Sequence, residues 1–190
     1  IFNSSMISYC TASGTGGAIK TCQLSDIHQR NINYSYCSAV SQSSVSMIDS
    51  TSLSISHSIY SFCKSYESYG AICVTNRILN IDIANCVFSE LKANHLSTAL
   101  HITGSFRCPF SLNNCVFYHS DKLLPSIYCS RIRQFIVSGC VFSNEEKSEI
   151  AGQNPSVEND NRFNASNDEF INIPKRQFFF NPYPYVLTMD

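Results

Sequence analysis

The residues able to do chemistry in this chain are thinly spread, and their spacing limits what they can do. Six carboxylates lie along the stretch that carries a repeat: Asp26, Asp49, Glu67, Asp82, Glu90 and Asp121. Glycoside hydrolysis requires two carboxyls facing one another across a groove. Lyase chemistry on an acidic polysaccharide requires clustered carboxylates for calcium, with a Lys or Arg as base. No Asp-Asp or Asp-x-Asp pair occurs among the six, so solvated surface acids are the better account of them. His101 is expected to point outward in line with Cys73 and Tyr128. A Cys beside a His can be a nucleophile with its base, but no third group is placed to orient the imidazole. His28, His57, His95 and His119 stand alone. Gly14-x-Gly16-Gly17 is not a phosphate loop, because no helix follows it.

The chain has 10 cysteines, none in a C-x2-C pair and none grouped with His in a ligand pattern. No metal and no cofactor are expected. Two states of the cysteines stay open: disulfides in an oxidising compartment, or buried thiols acting as small hydrophobes. N-x-[ST] triplets at Asn3, Asn33 and Asn164 are candidate glycosylation acceptors in a secreted chain.

Composition narrows the class further. Only 14% of the 190 residues are charged and the net charge is −1, which leaves no electrostatic footprint for nucleic acid. Ser and Asn take the place of charge, a composition that disfavours helices. No apolar run is long enough to span a bilayer. The chain opens on Ile1, which reads as a fragment or processed product whose targeting signals lie elsewhere.

The elements that must hold these residues are written as a repeat. Cys86-Val87-Phe88-Ser89, Cys115-Val116-Phe117-Tyr118 and Cys140-Val141-Phe142-Ser143 are each preceded by an apolar pair: Ile81 and Ile83, Phe110 and Leu112, Phe135 and Val137. Between pair and Cys lie Ala84-Asn85, Asn113-Asn114 and Ser138-Gly139. Asn and Gly tolerate positive φ, so a bend between two short strands is expected there. The aromatic series Phe2, Tyr36, Phe62, Phe88, Phe117, Phe142 runs at intervals of 34, 26, 26, 29 and 25 residues. Another strand recurs at Gly70-Ala71-Ile72-Cys73-Val74, Thr98-Ala99-Leu100-His101-Ile102 and Ser126-Ile127-Tyr128-Cys129, with Gly16-Gly17-Ala18-Ile19 as its first copy.

Three short strands in roughly 25 residues is the arithmetic of a right-handed parallel β-helix, an all-β solenoid. Phe62, Phe88, Phe117 and Phe142 are expected to stack inward, with Cys86, Cys115 and Cys140 as a thiol ladder beside them. Val87, Val116 and Val141 then form an outward row, which β-propensity alone explains; the functional alternative is an apolar strip for a partner. The repeats occupy residues 1–144. A polar linker and an irregular aromatic tail, Phe178-Phe179-Phe180-Asn181-Pro182-Tyr183-Pro184-Tyr185 included, fill 145–190.

The N-C-x-F and G-G-A-I phrases at this spacing resemble the β-helix repeats of chlamydial polymorphic outer membrane proteins and of protist surface β-helix proteins. The resemblance covers about residues 1 to 145 and implies extracellular or cell-surface display, with a glycan or protein of a host or cell surface as partner. It carries over no catalytic residue. The expected function is a non-enzymatic scaffold or adhesion module; the alternative is a carbohydrate-active enzyme of the β-helix class, a pectate lyase-like lyase or a glycoside hydrolase.

Overall fold

The structure, a computed structural model, describes residues 1–41, 45–67, 69–75, 78–104, 107–118, 123–152, 156–157 and 160–166. The aromatic segment from Phe178 to Tyr185 lies outside the described residues, as do Asp121 and His119.

The chain winds into a parallel β-solenoid. Its first face stacks Leu24–Ser35, Ser50–Ser56, Asn80–Ala84, Pro109–Asn113, Gln134–Ser138 and Ser156–Val157. The second stacks Phe2–Ser8, the end of Leu24–Ser35, then Ile59–Ser61, Val87–Ser89, Val116–Tyr118 and Val141–Phe142. The third stacks Ile19–Lys20, Ser46–Ile48, Ile72–Thr75, Leu100–Thr103, Ile127–Ser130 and Ile150–Gly152. A short sheet of Thr11–Ala12, Ser38–Ala39 and Lys64–Ser65 closes the early coils. Every strand pairing among the described residues is parallel. The one helical segment among the described residues is a single turn, Glu146–Glu149.

Alternation along each strand supplies the core. Leu53 and Ile55, Ile81 and Ile83, Phe110 and Leu112, Phe135 and Val137 point inward in register. From the third face come Ile72, Leu100 and Ile127. Gly70 precedes this face because the neighbouring coil leaves no room for a side chain: a Cβ there would sit 1.7 Å from the Thr98 carbonyl oxygen. The Gly-Ala-Ile phrase is thus a close backbone approach written into sequence.

The bend between the first and second faces is left-handed in successive coils, at Asn31, His57, Asn85, Asn114 and Gly139, with φ between 51° and 62°. Three residues beyond each stands an inward aromatic: Tyr34, Tyr60, Phe88, Phe117 and Phe142. Their rings stack at 4.8 to 5.0 Å, and Phe163 continues the column at 4.8 Å from Phe142.

Three expectations from the sequence need correction. Phe62 is not in the core ladder; Tyr60 takes that place, and Phe62 is half exposed. Likewise Tyr34, not Tyr36, is the inward ring, and Phe2 sits opposite Gln29 on an exposed strand. Both of these coils carry two aromatics two residues apart, and the equivalents of Asn85 and Cys86 are His57 and Ser58. The coil pattern also does not stop at Phe142. Ile150 pairs with Ile127, Val157 with Val137 and Arg162 with Val141, so one further coil runs past residue 144. The outward valines form no open strip, since Val116 and Val141 are buried and Val87 is half-buried.

Candidate recognition surface

Position on a solenoid converts spacing along the chain into columns, one rung per coil at roughly 4.8 Å. The first face therefore displays three outward columns: Asp26, Ser52, Asn80, Pro109, Gln134; His28, Ser54, Asp82, Ser111, Ile136; and Arg30, Ser56, Ala84, Asn113, Ser138. Asp82 points outward with Ser111 as its stacked neighbour, and the Ser111 hydroxyl donates to its carboxylate at 2.6 Å. Asp26 and Asp82 stand two coils and one column apart. That separation is wider than the roughly 5 to 9.5 Å across which two carboxyls cleave a glycoside. Glu67 is exposed beyond the short sheet and Glu90 lies at a corner. Among the described residues no group of three or more His, Cys, Asp or Glu could hold a metal ion.

His101 does lie between Cys73 and Tyr128 in one column. Its ring is sandwiched by Tyr69 at 3.8 Å and Tyr128 at 5.1 Å and is only 4% exposed. Burial lowers its pKa to about 4 and pushes the Cys73 thiol up to about 12. Both shifts favour the neutral forms, the opposite of the thiolate–imidazolium pair that nucleophilic catalysis needs. Nδ1 finds no partner among the described residues, while Nε2 lies 3.3 Å from the Thr103 hydroxyl. This is a packed aromatic stack. The remaining described histidines are apart: His28 and His95 are exposed, and His57 forms a bend.

Six of the cysteines share one structural job. Cys86, Cys115 and Cys140 each follow a left-handed residue, are fully buried, and donate S–H to the carbonyl two residues earlier, at 3.3 to 3.4 Å. Ser58 does the same in its coil, at 3.0 Å to Ser56. Cys10, Cys37 and Cys63 repeat the arrangement at the next corner, donating to Ser8, Ser35 and Ser61. Five of these carbonyls, those of Ala84, Asn113, Ser138, Ser35 and Ser61, also accept a backbone N–H from the preceding coil, so the thiol adds a second donor that ties the bend to its own strand. Cys37 is lowered to about 7, chiefly by a hydrogen bond from the Cys63 thiol, and Cys63 is correspondingly raised. No described cysteine is in a disulfide.

That second corner holds a feature the sequence pattern concealed. Tyr9, Tyr36 and Phe62 occupy it in three successive coils, all in the left-handed region, at φ +57°, +55° and +53°. Their rings stack at 5.0 Å with planes 3° and 6° apart, yet they are 74%, 48% and 50% exposed. A bulky residue in this region costs about 1–2 kcal/mol, and a stacked pair returns about 0.5–1.5 kcal/mol. Three such residues cost about 3–6 kcal/mol and two stacked pairs return about 1–3 kcal/mol, so the stacking offsets only part of the strain. Serines flank it on one side, as Ser8, Ser35, Ser61 and Ser89. Thr11, Ser38, Lys64 and Lys92 flank it on the other.

Of the glycosylation candidates, Asn3 and Asn164 are exposed, whereas Asn33 is half-buried on a central strand with its Oδ1 enclosed. No helix among the described residues is long and apolar enough to cross a membrane. In comparison with known proteins, no family model matches the chain, no curated protein matches it, and no solved structure matches it.

Proposed function

We propose that this chain is a non-enzymatic recognition module, a rigid solenoid whose outer columns form an extended contact surface. The observation that carries this reading is the outward chemistry of the first face: hydroxyls and amides repeated coil after coil, with its two aspartates set too far apart to share a bond. Such columns offer hydrogen bonds at regular intervals to an elongated partner, but no group placed to give or take a proton. The one strongly shifted imidazole among the described residues is stacked and held neutral. Display outside the cell is part of the proposal. It rests on the resemblance of the N-C-x-F repeats to polymorphic outer membrane proteins and on the exposure of Asn3 and Asn164.

The experiment is a paired assay on the purified chain. Pectic, alginate-like and glycosaminoglycan polymers are tested for cleavage with and without calcium, and for retention of the protein by the immobilised polymer. Retention by a polymer or by a cell surface without cleavage is expected. Reproducible cleavage lost in Asp82→Asn would overturn the reading in favour of the enzyme alternative.

A further inference from the structure

The two left-handed corners of this solenoid follow opposite rules. At the first, the residues are Asn31, His57, Asn85, Asn114 and Gly139, side chains suited to positive φ. At the second, three consecutive coils place Tyr9, Tyr36 and Phe62 where Asn or Gly would fit with less strain. The core does not require them, since Ile7, Tyr34 and Tyr60 already pack inward two residues before each corner. Strain held at a surface position and offset only in part by stacking points to function. Tyr36 is decisive: it is stacked on both sides and still 48% exposed. Parallel rings 5.0 Å apart are offset-stacked, which leaves part of each face open.

We infer that this aromatic corner binds an extended, β-linked glycan lying along the solenoid axis. Three features select that partner. The rings are bordered on one side by a column of serine hydroxyls and on the other by Thr11 and Ser38, whose Oγ atoms lie 3.2 Å apart, followed by Lys64. A pyranose presents the complement, an apolar C–H face with hydroxyls at its edges. The surface is a convex ridge whose strands pair along the column, so a peptide finds no free backbone edge between the coils. An extended peptide also presents side chains on one face only every 6.6 Å or so, out of step with rings at 5.0 Å. Sugar units in an extended β-linked chain repeat at close to one coil rise. The inference rests on the recognition reading above and names the ligand class of one part of that surface.

The test uses the whole chain with chitohexaose and cellohexaose as probes. Tyrosine emission is the readout, which no tryptophan obscures, with calorimetric titration alongside. Tyr36→Asn and Phe62→Asn place at the second corner the residue that the first corner uses. Saturable binding by the native chain is expected, weakened at least tenfold in either variant, with the thermal midpoint unchanged or raised. Tyr36→Phe should keep most of the affinity. Binding that survives both Asn variants would overturn the aromatic assignment while leaving recognition elsewhere on the solenoid standing. So would a lowered thermal midpoint in Tyr36→Asn with no loss of affinity, since the ladder would then be a staple. Failure of the native chain to bind either hexamer would overturn the glycan. If that chain were also retained by no polymer or cell surface, the recognition reading itself would fall.

Discussion

The phenolic hydroxyl of Tyr60 donates to the side-chain carbonyl of Gln29 at 3.1 Å, deep inside the solenoid. Tyr34, one coil earlier, donates to the same oxygen at 3.2 Å. All three residues are essentially without solvent contact, so Gln29 is the acceptor that allows two tyrosines to stand in a column of phenylalanines. Removing one partner of a buried hydrogen bond costs more than replacing both by apolar groups. Gln29→Leu should therefore lower stability by about 1–3 kcal/mol, since it orphans two hydroxyls while removing the Gln29 Nε2, which has no partner among the described residues. The triple variant Gln29→Leu, Tyr34→Phe, Tyr60→Phe should recover most of that loss. Urea unfolding of the set checks it, and a triple variant no better than the single one would refute the account.

Phe117 stacks between Phe88 at 4.9 Å and Phe142 at 4.8 Å and is 1% exposed. Truncation opens a cavity that neighbouring coils cannot close, because their backbones are fixed by pairing on both sides. Phe117→Ala should cost about 3–5 kcal/mol. Phe62→Ala, at the exposed corner, should change stability by no more than about 1 kcal/mol. Equal losses in the two variants would contradict the separation of core ladder from surface ladder.

The contrast between these two phenylalanines also shows how far the sequence could be read. Residues 70–142 repeat an Asn or Gly bend, a Cys and an aromatic with little drift, and there the strands, columns and inward faces were legible. Asp82 beside Ser111, and His101 between Cys73 and Tyr128, followed from the same register. One earlier coil replaces both bend and thiol by His57 and Ser58, and another keeps Asn31 but replaces the thiol by Ile32, which preserves the geometry and erases the motif. Two aromatics per coil, one inward and one on the corner, then made the alignment ambiguous by two residues. Gln29 was illegible for another reason: its role depends on two hydroxyls that only the winding of the chain brings to it.

The same corner chemistry governs the thiols. Cys22 is exposed and Cys10 partly so, while the other eight are buried. Burial raises the pKa of Cys73, Cys108, Cys115 and Cys129, which suppresses the reactive thiolate. Under native conditions an aromatic disulfide reagent should label Cys22 fast, Cys10 more slowly and the buried set only as the chain unfolds. In denaturant without reductant, all ten should react. A shortfall would mean that disulfides link the columns, and mass spectrometry of the unlabelled peptides would locate them.

His101 should write itself into the acid stability of the fold. Its ring faces Tyr69, Tyr128 and Cys73, with Thr103 at Nε2, and none of these carries a charge that would stabilise the imidazolium. Burial holds the folded pKa at about 4, below the value of about 6.5 for an unfolded chain. Above about pH 6.5 both states are neutral and the group contributes no slope. As the pH falls from about 6.5 to about 4, the unfolded chain takes a proton that the folded one refuses. Stability is then lost at up to about 1.4 kcal/mol per pH unit. Below the folded pKa both states are protonated and the loss levels off. His101→Phe keeps a ring between the two tyrosines and removes the titration, so its stability should fall less steeply than the native chain's across this window. Identical slopes from urea unfolding at pH 7, 6, 5 and 4 would mean that the imidazole accepts its proton without leaving the stack.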